Sequence, residues 1–316
     1  MENKQPLLSI CIPTYNRANL LDQSLARIIK EFNGLENKAD VEIFVSDNQS
    51  PDNTPEIVEK YISNGLPIQY IRNTTNIGGD RNIIQCFRLA KGKYALVLGD
   101  DDFPIEGSLH KILNVLEQGD YGVVNLQMYP DKSAPFTLYE NPQEFVVAVG
   151  YWFTFISGNI VNSKYISKID LDKFIETSLL QVPLYMEAVF SEKRNVIVHE
   201  RLLDFGIVAT TNVGYNFFEV FVTNFLGIFK ETMRQGFLSR MSYEKIKYIL
   251  YKNFICIYVY RFLKKRNMGS QKLNEALKIL IKNYGLYPYT YIIPFVYIIE
   301  KIFKVLAHPF RKRIPS

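Results

Sequence analysis

The sequence lacks the signals that mark several large classes of protein. Its three cysteines, Cys11, Cys86 and Cys256, form no Cys-x-x-Cys pair and no even-numbered framework, so we expect reduced core thiols rather than disulfides. The amino terminus has no apolar stretch of the kind that directs secretion, which favours a cytoplasmic protein. Neither GxGxxG after the first predicted strand nor GxxxxGK[ST] occurs. Any phosphate group would therefore have to be held by a metal and side chains.

Acidic residues are scarce in the carboxyl-terminal part of the chain. Residues 261–316 contain twelve Lys and Arg but only Glu275 and Glu300, a balance of +10, whereas the whole chain stands at +5. These basic residues alternate with Ile, Leu, Phe and Tyr, a mixture that suits an anionic membrane surface better than nucleic acid. The apolar stretch 283–299 is too short and too interrupted by glycine and proline for a transmembrane helix. It reads as an interfacial anchor, or as helices that pack on the rest of the chain or on a dimer partner.

In the first part of the chain, short apolar runs typical of strands alternate with segments in which apolar residues recur at helical spacing. A chain that is 47% hydrophobic and 22% charged can bury a full core. The predicted strands are Leu7–Ile12, Val41–Ser46, Ile68–Ile71, Tyr94–Leu98 and Gly122–Met128, and the predicted helices lie near residues 20–29, 55–62, 81–90 and 105–118. This alternation predicts an α/β fold, a mostly parallel Rossmann-like sheet flanked by helices, with its ligand site at the carboxyl ends of the strands.

The pattern changes along the chain. From about residue 136 the alternation gives way to shorter apolar pieces, and beyond Asn216 the sequence is helical in character, with amphipathic segments near 217–236, 243–265 and 271–282. We expect a first domain over 1–212, divided into a nucleotide-sugar half at 1–120 and an acceptor half at 121–212. A helical, basic and apolar region would follow at 213–316.

The most informative stretch is Tyr94–Asp102, in which an apolar strand runs into three consecutive carboxylates. Two carboxylates about 4 Å apart repel each other by roughly 4 kcal/mol near a protein surface, so a cation or a proton must relieve the cluster. Oxygen ligands favour Mg²⁺ or Mn²⁺ over zinc. A Gly-Asp-Asp turn also follows a strand in polymerase palms, but that interpretation needs another strand-borne aspartate and room for further subdomains.

Five short motifs occur in a fixed order in the first third of the chain. They are Ser9–Arg17, Val45–Ser50, Asn76–Asn82, Ala90–Tyr94 and Leu98–Asp102. Each is weak alone, but in this order and spacing they resemble family-2 glycosyltransferases of the GT-A fold. The resemblance is strong over roughly residues 6–120 and fades by about residue 210. The segment Phe155–Ile160 is similar to the O-antigen and capsule branch of that family, which includes abequosyltransferase-like enzymes.

The resemblance implies roles for individual residues. The nucleotide-sugar-binding residues would be Pro13, Thr14, Tyr15, Arg17, Asp47, Asn48, Asn76, Gly78, Arg81, Asp100 and Asp101. Asp47 would accept hydrogen bonds from the base or the ribose, and Arg81 would lie near the pyrophosphate. Asp102 would ligate Mn²⁺ or Mg²⁺, with Asp100 as the second metal candidate. Asp101 would lie behind the metal or contact the donor sugar.

The family's chemistry is inversion at the anomeric carbon, in which a carboxylate takes the proton of the attacking hydroxyl. The chain departs from the family here, because the usual Glu-Asp pair at the start of a helix after the acceptor region is missing. Polar Gln181 occupies the expected region. The catalytic candidates are therefore Glu176 and Glu187, the nearest carboxylates, together with Asp101.

The sequence leads to two functional hypotheses. The first is an inverting, metal-dependent glycosyltransferase, peripheral on the inner face of the cell membrane. It would move a sugar from a nucleotide-diphospho-sugar to a lipid-linked saccharide in surface polysaccharide or O-antigen synthesis. The alternative is a catalytically silent GT-A domain that binds nucleotide-sugars or tethers an assembly complex at the membrane. Neither hypothesis involves nucleic acid, and the donor, the acceptor and the oligomeric state stay open.

Overall fold

The structure is a computed structural model that describes residues 5–127, 134–205, 216–259 and 273–294. The strands are β1 (Leu8–Thr14), β2 (Val41–Asp47), β3 (Ile68–Arg72), β4 (Tyr94–Val97), β5 (Asp102–Pro104), β6 (Val123–Leu126), β7 (Phe136–Tyr139), β8 (Asn159–Asn162), β9 (Asn195–Val198) and β10 (Leu203–Phe205). The helices are α1 (Ala18–Asn33), α2 (Thr54–Ser63), α3 (Gly79–Leu89), α4 (Ser108–Glu117), α5 (Pro142–Val149), α6 (Gln181–Ser191), α7 (Phe225–Arg234), α8 (Arg240–Leu250) and α9 (Leu273–Tyr284). Strands and helices thus alternate from β1 to β4, as predicted, and β5 then follows β4 without a helix between them.

A central sheet of eight strands organises the first part of the chain. Its order is β3-β2-β1-β4-β8-β6-β9-β7. The pairs β3–β2, β2–β1, β1–β4 and β6–β9 are parallel, whereas β8 and β7 run antiparallel to their neighbours. Buried, β-branched and other apolar residues fill β1, β2 and β4, as expected for parallel strands covered by helices on both faces.

The register of the parallel strands places their carboxyl ends side by side. Thr14, the last residue of β1, is paired with Asp47, the last residue of β2, and Asp47 is paired in turn with Arg72 of β3. The loops that follow these strands therefore leave the sheet at one edge, which we call the carboxyl edge. Asp52 stabilises the helices that begin there, because its carboxylate accepts backbone N–H groups from Ala18 in α1 and Thr54 in α2.

The structure differs from the sequence prediction in two short strands. The helix expected over 105–118 begins only at Ser108, because residues 102–104 form β5, which pairs antiparallel with β10. Gly107, with φ +76°, then turns the chain into α4, a backbone conformation that glycine adopts without strain. The apolar piece Phe136–Tyr139 is also a strand, β7, which pairs with β9 at the edge of the large sheet.

The chain divides into two compact units. The first comprises Met1–Ala209 with Arg234–Ser239, and the second comprises Thr210–Met233 with Arg240–Ser316. The described residues of the second unit are mostly helical, with a break at 285–288. Two of its segments, Glu219–Asn224 and Tyr251–Ile255, have π-helical hydrogen bonding. The boundary predicted near residue 212 and part of the helix predicted over 243–265 lie outside the described residues. No described helix has the length and apolar character that spanning a bilayer requires.

Candidate active site

An acidic turn joins β4 to β5 at the carboxyl edge, and the loop after β1 folds against it. Thr14 donates a hydrogen bond from Oγ1 to Asp100 Oδ2 at 2.7 Å, and Arg17 Nη1 lies 3.0 Å from Asp100 Oδ1. The same Arg17 nitrogen lies 3.2 Å from Asp101 Oδ2. One guanidinium thus compensates two of the three carboxylates, and Asp100, only 4% exposed, has both oxygens engaged. Asp100 was predicted as the second metal ligand, but neither of its oxygens is free of hydrogen bonds in this structure.

Within the described part of the chain, Asp102 is the carboxylate of the turn that forms no ion pair. Ser157 donates a hydrogen bond from Oγ to Asp102 Oδ2 at 2.5 Å, and no described residue bonds Oδ1. Burial, with smaller repulsion from Asp101 and Asp100, raises the pKa of Asp102 to about 7, although the Ser157 hydroxyl opposes the shift. Gly99 allows this arrangement, since an added Cβ would stand 2.9 Å from Asp102 Oδ2.

The chemistry of this turn fits a divalent cation that shares its coordination with a ligand. Among the described residues no three His, Cys, Asp or Glu side chains converge to form a complete metal site. Asp102 instead offers one unbonded oxygen beside a surplus of negative charge, and Mg²⁺ and Mn²⁺ are commonly held by one or two carboxylates plus phosphate oxygens. The turn can therefore anchor a cation whose remaining positions a diphosphate would fill.

The structure gives Asp47 a different role from the predicted one. Its side chain is fully buried, Oδ1 accepts the Ser50 N–H at 2.8 Å, and Oδ2 accepts the Tyr70 hydroxyl at 2.7 Å. Arg72 Nε lies 3.3 Å from the same Oδ2. Both oxygens thus hold the loop after β2, and neither is accessible to a base or a ribose in this structure.

Two asparagines of the predicted site shape the loop before α3. Asn48 donates from Nδ2 to Asn76 Oδ1 at 2.8 Å, and its own Oδ1 accepts the Ile77 N–H at 2.9 Å. Asn76 Oδ1 also accepts the Gly78 N–H at 2.9 Å. Gly78 has φ +87°, so a side chain there would be strained. These bonds orient the start of α3, where Arg81 is exposed.

The remaining predicted residues of this edge lie on its accessible rim. Pro13 is a half-buried member of β1, and Tyr15 is an exposed aromatic side chain directly after that strand. Non-glycine residues with left-handed backbone occur in the same loops: Asn16 has φ 54° and Gln49 has φ 62°. Strained backbone of this kind collects at functional sites, and here the two loops are joined because Ser50 Oγ accepts the Asn16 N–H.

The two glutamates proposed as catalytic candidates lie in different places. The backbone N–H of Glu176 donates to Asp80 Oδ2 at 3.0 Å, which puts this exposed residue beside the start of α3 at the carboxyl edge. Glu187 lies about 9 Å further along α6 than Gln181. Its neighbour Ala188 packs on Gly122, which precedes β6 at the opposite edge of the sheet. The structure therefore brings Asp101 and Glu176 to the carboxyl edge and leaves Glu187 away from it.

Two residues of this region were not assigned a role from the sequence. Ser157 precedes β8, 55 residues beyond Asp102, and only its position within the motif Phe155–Ile160 hinted at a function. Gln181, at the start of α6, donates from Nε2 to the Thr154 carbonyl at 3.1 Å and is 5% exposed. Gln181 therefore supports the backbone that leads to Ser157, rather than acting as a base.

The raised pKa of Asp102 predicts a pH dependence of stability in the absence of metal. A carboxyl whose pKa rises on folding from the ordinary 3.8 to about 7 favours the folded state fully below pH 4, and this contribution is lost as the pH rises through 7. In urea unfolding with EDTA, the wild type should lose stability relative to Asp102→Asn between pH 4 and 7, by up to about 1.4 kcal/mol per pH unit. Parallel pH profiles of the two proteins would contradict the shift.

Comparison with known proteins identifies the family. The mostly parallel α/β sheet with a carboxylate turn at its carboxyl edge is an architecture suited to nucleotide ligands. The model of glycosyl transferase family 2 matches residues 9–175, more than half of the chain. The chain belongs to this family, and the resemblance seen in the five motifs is confirmed.

Curated relatives match only part of the chain. Abequosyltransferase RfbV of Salmonella typhimurium is 42% identical over 106 residues, which cover 33% of this chain and 30% of that protein. The GalNAc(5)-diNAcBac-PP-undecaprenol beta-1,3-glucosyltransferase of Campylobacter jejuni is 31% identical over 115 residues, 36% of each chain. The chain spans about a third of the length of the first curated relatives it matches.

Solved structures share the fold. S. aureus TarS 1–349 in complex with UDP-GlcNAc aligns with a TM-score of 0.56 at 18% identity, over 87% of this chain and 80% of that one. Mannosyltransferase PcManGT from Pyrobaculum calidifontis, in complex with GDP-Man and Mn²⁺, aligns with a TM-score of 0.54 at 15% identity, over 96% and 87% of the two chains. The prediction of the GT-A fold, with a helical carboxyl-terminal region, is confirmed.

Proposed function

We propose that this protein transfers a sugar, with inversion, from a nucleotide-diphospho-sugar to a hydroxyl group of a saccharide during synthesis of O-antigen, capsule or a similar surface polysaccharide. The observation that carries the proposal is the acidic turn, in which Asp102 keeps one oxygen unbonded at the carboxyl edge of the sheet. Similarity to abequosyltransferase RfbV supports the O-antigen branch. Mn²⁺ beside GDP-Man in a structural neighbour supports a divalent cation, Mn²⁺ or Mg²⁺.

Each residue of the turn has a distinct task in this proposal. Asp102 holds the cation, which when bound neutralises the negative charge that develops on the leaving diphosphate. Arg17 keeps Asp100 and Asp101 in place by pairing with both, so that the turn is formed before the donor arrives. The Asn48–Asn76 pair presents the exposed start of α3 to the donor.

The proton of the attacking hydroxyl must pass to a base. Asp101 lies within the acidic turn and has a partly exposed side chain, and Glu176 is an exposed residue whose backbone N–H binds Asp80, beside the start of α3. We place the base at one of these two carboxylates rather than at Glu187. The side chains of Asp101 and Glu176 are both accessible to solvent, as the base must be if it is to meet an incoming acceptor.

A lipid-linked acceptor would bring the protein to a membrane surface, and α9 carries side chains suited to one. Leu277 and Ile281, one helical turn apart, are 44% and 66% exposed. Lys278 and Lys282, also exposed and one turn apart, follow them in the sequence and so line the adjacent strip of the helix. Leu286, just beyond the helix, is 98% exposed. An apolar stripe bordered by lysines is the pattern of an interfacial helix on anionic lipid.

Replacement of the stripe should weaken membrane binding. The double substitution Leu277→Ser and Ile281→Ser removes about 1.5–3 kcal/mol of apolar burial for each side chain, so partitioning onto phosphatidylserine vesicles should fall at least tenfold in a sedimentation assay. Leu138→Ser is the matched control, because Leu138 is 41% exposed but belongs to β7, a strand that contains no lysine. Equal sedimentation of the double variant and the control would refute the membrane-binding role of α9.

One observation favours the silent alternative. The start of α6 carries Gln181, which is buried and bonded to a backbone carbonyl, instead of the expected acidic pair. Donor hydrolysis separates the two functions, because a competent transferase releases sugar slowly to water when no acceptor is present. The protein should hydrolyse one class among UDP-, GDP-, CDP- and dTDP-sugars with Mn²⁺. Tight nucleotide-sugar binding without any hydrolysis would establish the silent alternative.

A further inference from the structure

The side chain of Ser157 connects the acidic turn to a segment that is distant in sequence. It is fully buried, its hydroxyl donates to Asp102 Oδ2 at 2.5 Å, and its oxygen accepts the Gly99 N–H at 2.9 Å. Ser157 therefore bonds both ends of the Gly99–Asp102 turn. A backbone N–H group can only donate, so the single hydroxyl proton of Ser157 is directed to Asp102.

This arrangement leaves one particular oxygen of Asp102 available. Oδ2 is held by Ser157 and packed over Gly99, where no Cβ occupies the space. Oδ1 has no hydrogen-bond partner among the described residues. The carboxylate is thus held in one orientation, with Oδ1 as its free acceptor, before any ligand binds.

Ser157 is itself held from the other side. Residues 150–158 form two short 3₁₀ turns, and Asn159 donates from Nδ2 to the carbonyls of Trp152 and Phe155 at 3.0 and 2.7 Å. Gln181 supports the same segment through the Thr154 carbonyl. This segment also carries Trp152, a partly exposed residue whose ring contacts that of Tyr151.

We propose that Ser157 is a positioning residue that orients Asp102 for the cation and so makes cation affinity depend on the 150–158 segment. The proposal rests on the proposed function, in which Asp102 binds the cation of a metal–nucleotide complex. Groups that hydrogen-bond a ligating carboxylate typically contribute 10–100-fold to metal affinity. A serine with this role acts through Asp102 and touches neither the cation nor the donor.

Ser157→Ala should weaken binding of Mn²⁺ by 10–100-fold, measured by electron paramagnetic resonance titration of free Mn²⁺ with UDP, GDP, CDP or dTDP present in turn. Ser163→Ala is the matched control, because the buried Ser163 hydroxyl has no hydrogen-bond partner among the described residues, so its removal breaks none of the bonds seen there. Ser157→Cys keeps a side chain of similar size but with a weaker donor. Its affinity for Mn²⁺ should therefore lie between that of Ser157→Ala and that of Ser163→Ala.

The outcomes separate this proposal from the function on which it rests. Thermal unfolding of each variant shows whether it is folded, and an effect limited to unfolding temperature, with Mn²⁺ affinity unchanged in Ser157→Ala and Ser157→Cys, would overturn the positioning role. If the wild type itself bound no Mn²⁺–nucleotide complex, the proposed function and this inference would both be overturned. The proposal is supported if Ser157→Ala loses affinity for Mn²⁺ while Ser163→Ala keeps the wild-type affinity.

Discussion

Asp102→Asn is expected to lower metal-dependent donor hydrolysis by about 10³-fold or more. The substitution keeps the size of the side chain but removes the charge that holds the cation, and a bound cation supplies several kcal/mol of transition-state stabilisation. Asparagine can still accept the Ser157 hydrogen bond through its amide oxygen, so the turn should keep its shape. The rate is measured as release of free nucleoside diphosphate with Mn²⁺ and with EDTA.

The matched control for this experiment is Asp204→Asn. Asp204 in β10 pairs with Phe103 across the small sheet, and its carboxylate binds Arg27 and Arg201 at a partly exposed position. Exposed ion pairs contribute little to stability, and Asp204 belongs to no part of the proposed metal site. Its substitution should leave the rate within a few-fold of the wild type. A metal-dependent rate that survived in Asp102→Asn would contradict the assignment of the cation to Asp102.

Asp47→Ala is expected to destabilise the fold by about 3 kcal/mol or more. The substitution leaves the Tyr70 hydroxyl and the Ser50 N–H without the acceptor that the fully buried Asp47 carboxylate provides. It also removes the ion pair with Arg72, although this half-exposed guanidinium keeps its bond to the Ser50 carbonyl. Urea unfolding at pH 7 measures the change in the free energy of unfolding.

Asp22→Ala is the matched control, because Asp22 also accepts a tyrosine hydroxyl and a basic side chain, those of Tyr61 and Lys60, but at a position 37% exposed. Its cost should stay near 1 kcal/mol, since water replaces the lost bonds. The result for Asp47→Ala also decides between two roles. A stable Asp47→Ala protein that had lost only nucleotide binding would restore the role predicted from the sequence, direct contact with the base or ribose.

The sequence motifs correctly predicted which loops meet. This was possible because parallel strands end at the same edge of the sheet, so motifs at strand ends lie close together. Thr14 and Arg17 after β1 lie against Asp100 after β4, as their placement at strand ends indicated. The partners of each side chain were less predictable. Asp47 ends its strand as the pattern required, yet Tyr70 and Arg72, two strand residues of β3, bind its carboxylate. Strand register, which the sequence does not show, decides this pairing.

Contacts between residues far apart in the sequence account for the other differences between the sequence predictions and the structure. Ser157 reaches Asp102 only because β8 runs antiparallel beside β4, a reversal that a simple alternation of parallel strands does not predict. Similarly, β5 consists of three residues that pair with β10, about 100 residues later. Glu187 is close to Gln181 in the sequence, but α6 carries it away from the carboxyl edge.

The central claim is that the acidic turn binds a nucleotide-diphospho-sugar through a divalent cation. The measurement that tests it most directly is a thermal-shift screen of the wild type and Asp102→Asn against UDP-, GDP-, CDP- and dTDP-sugars, each with Mn²⁺ and with EDTA. The account predicts that one nucleotide class stabilises the wild type with Mn²⁺ only, by an amount that grows with the ratio of ligand concentration to Kd, and that Asp102→Asn loses this effect. Stabilisation that is equal with EDTA, or that persists in Asp102→Asn, would contradict it.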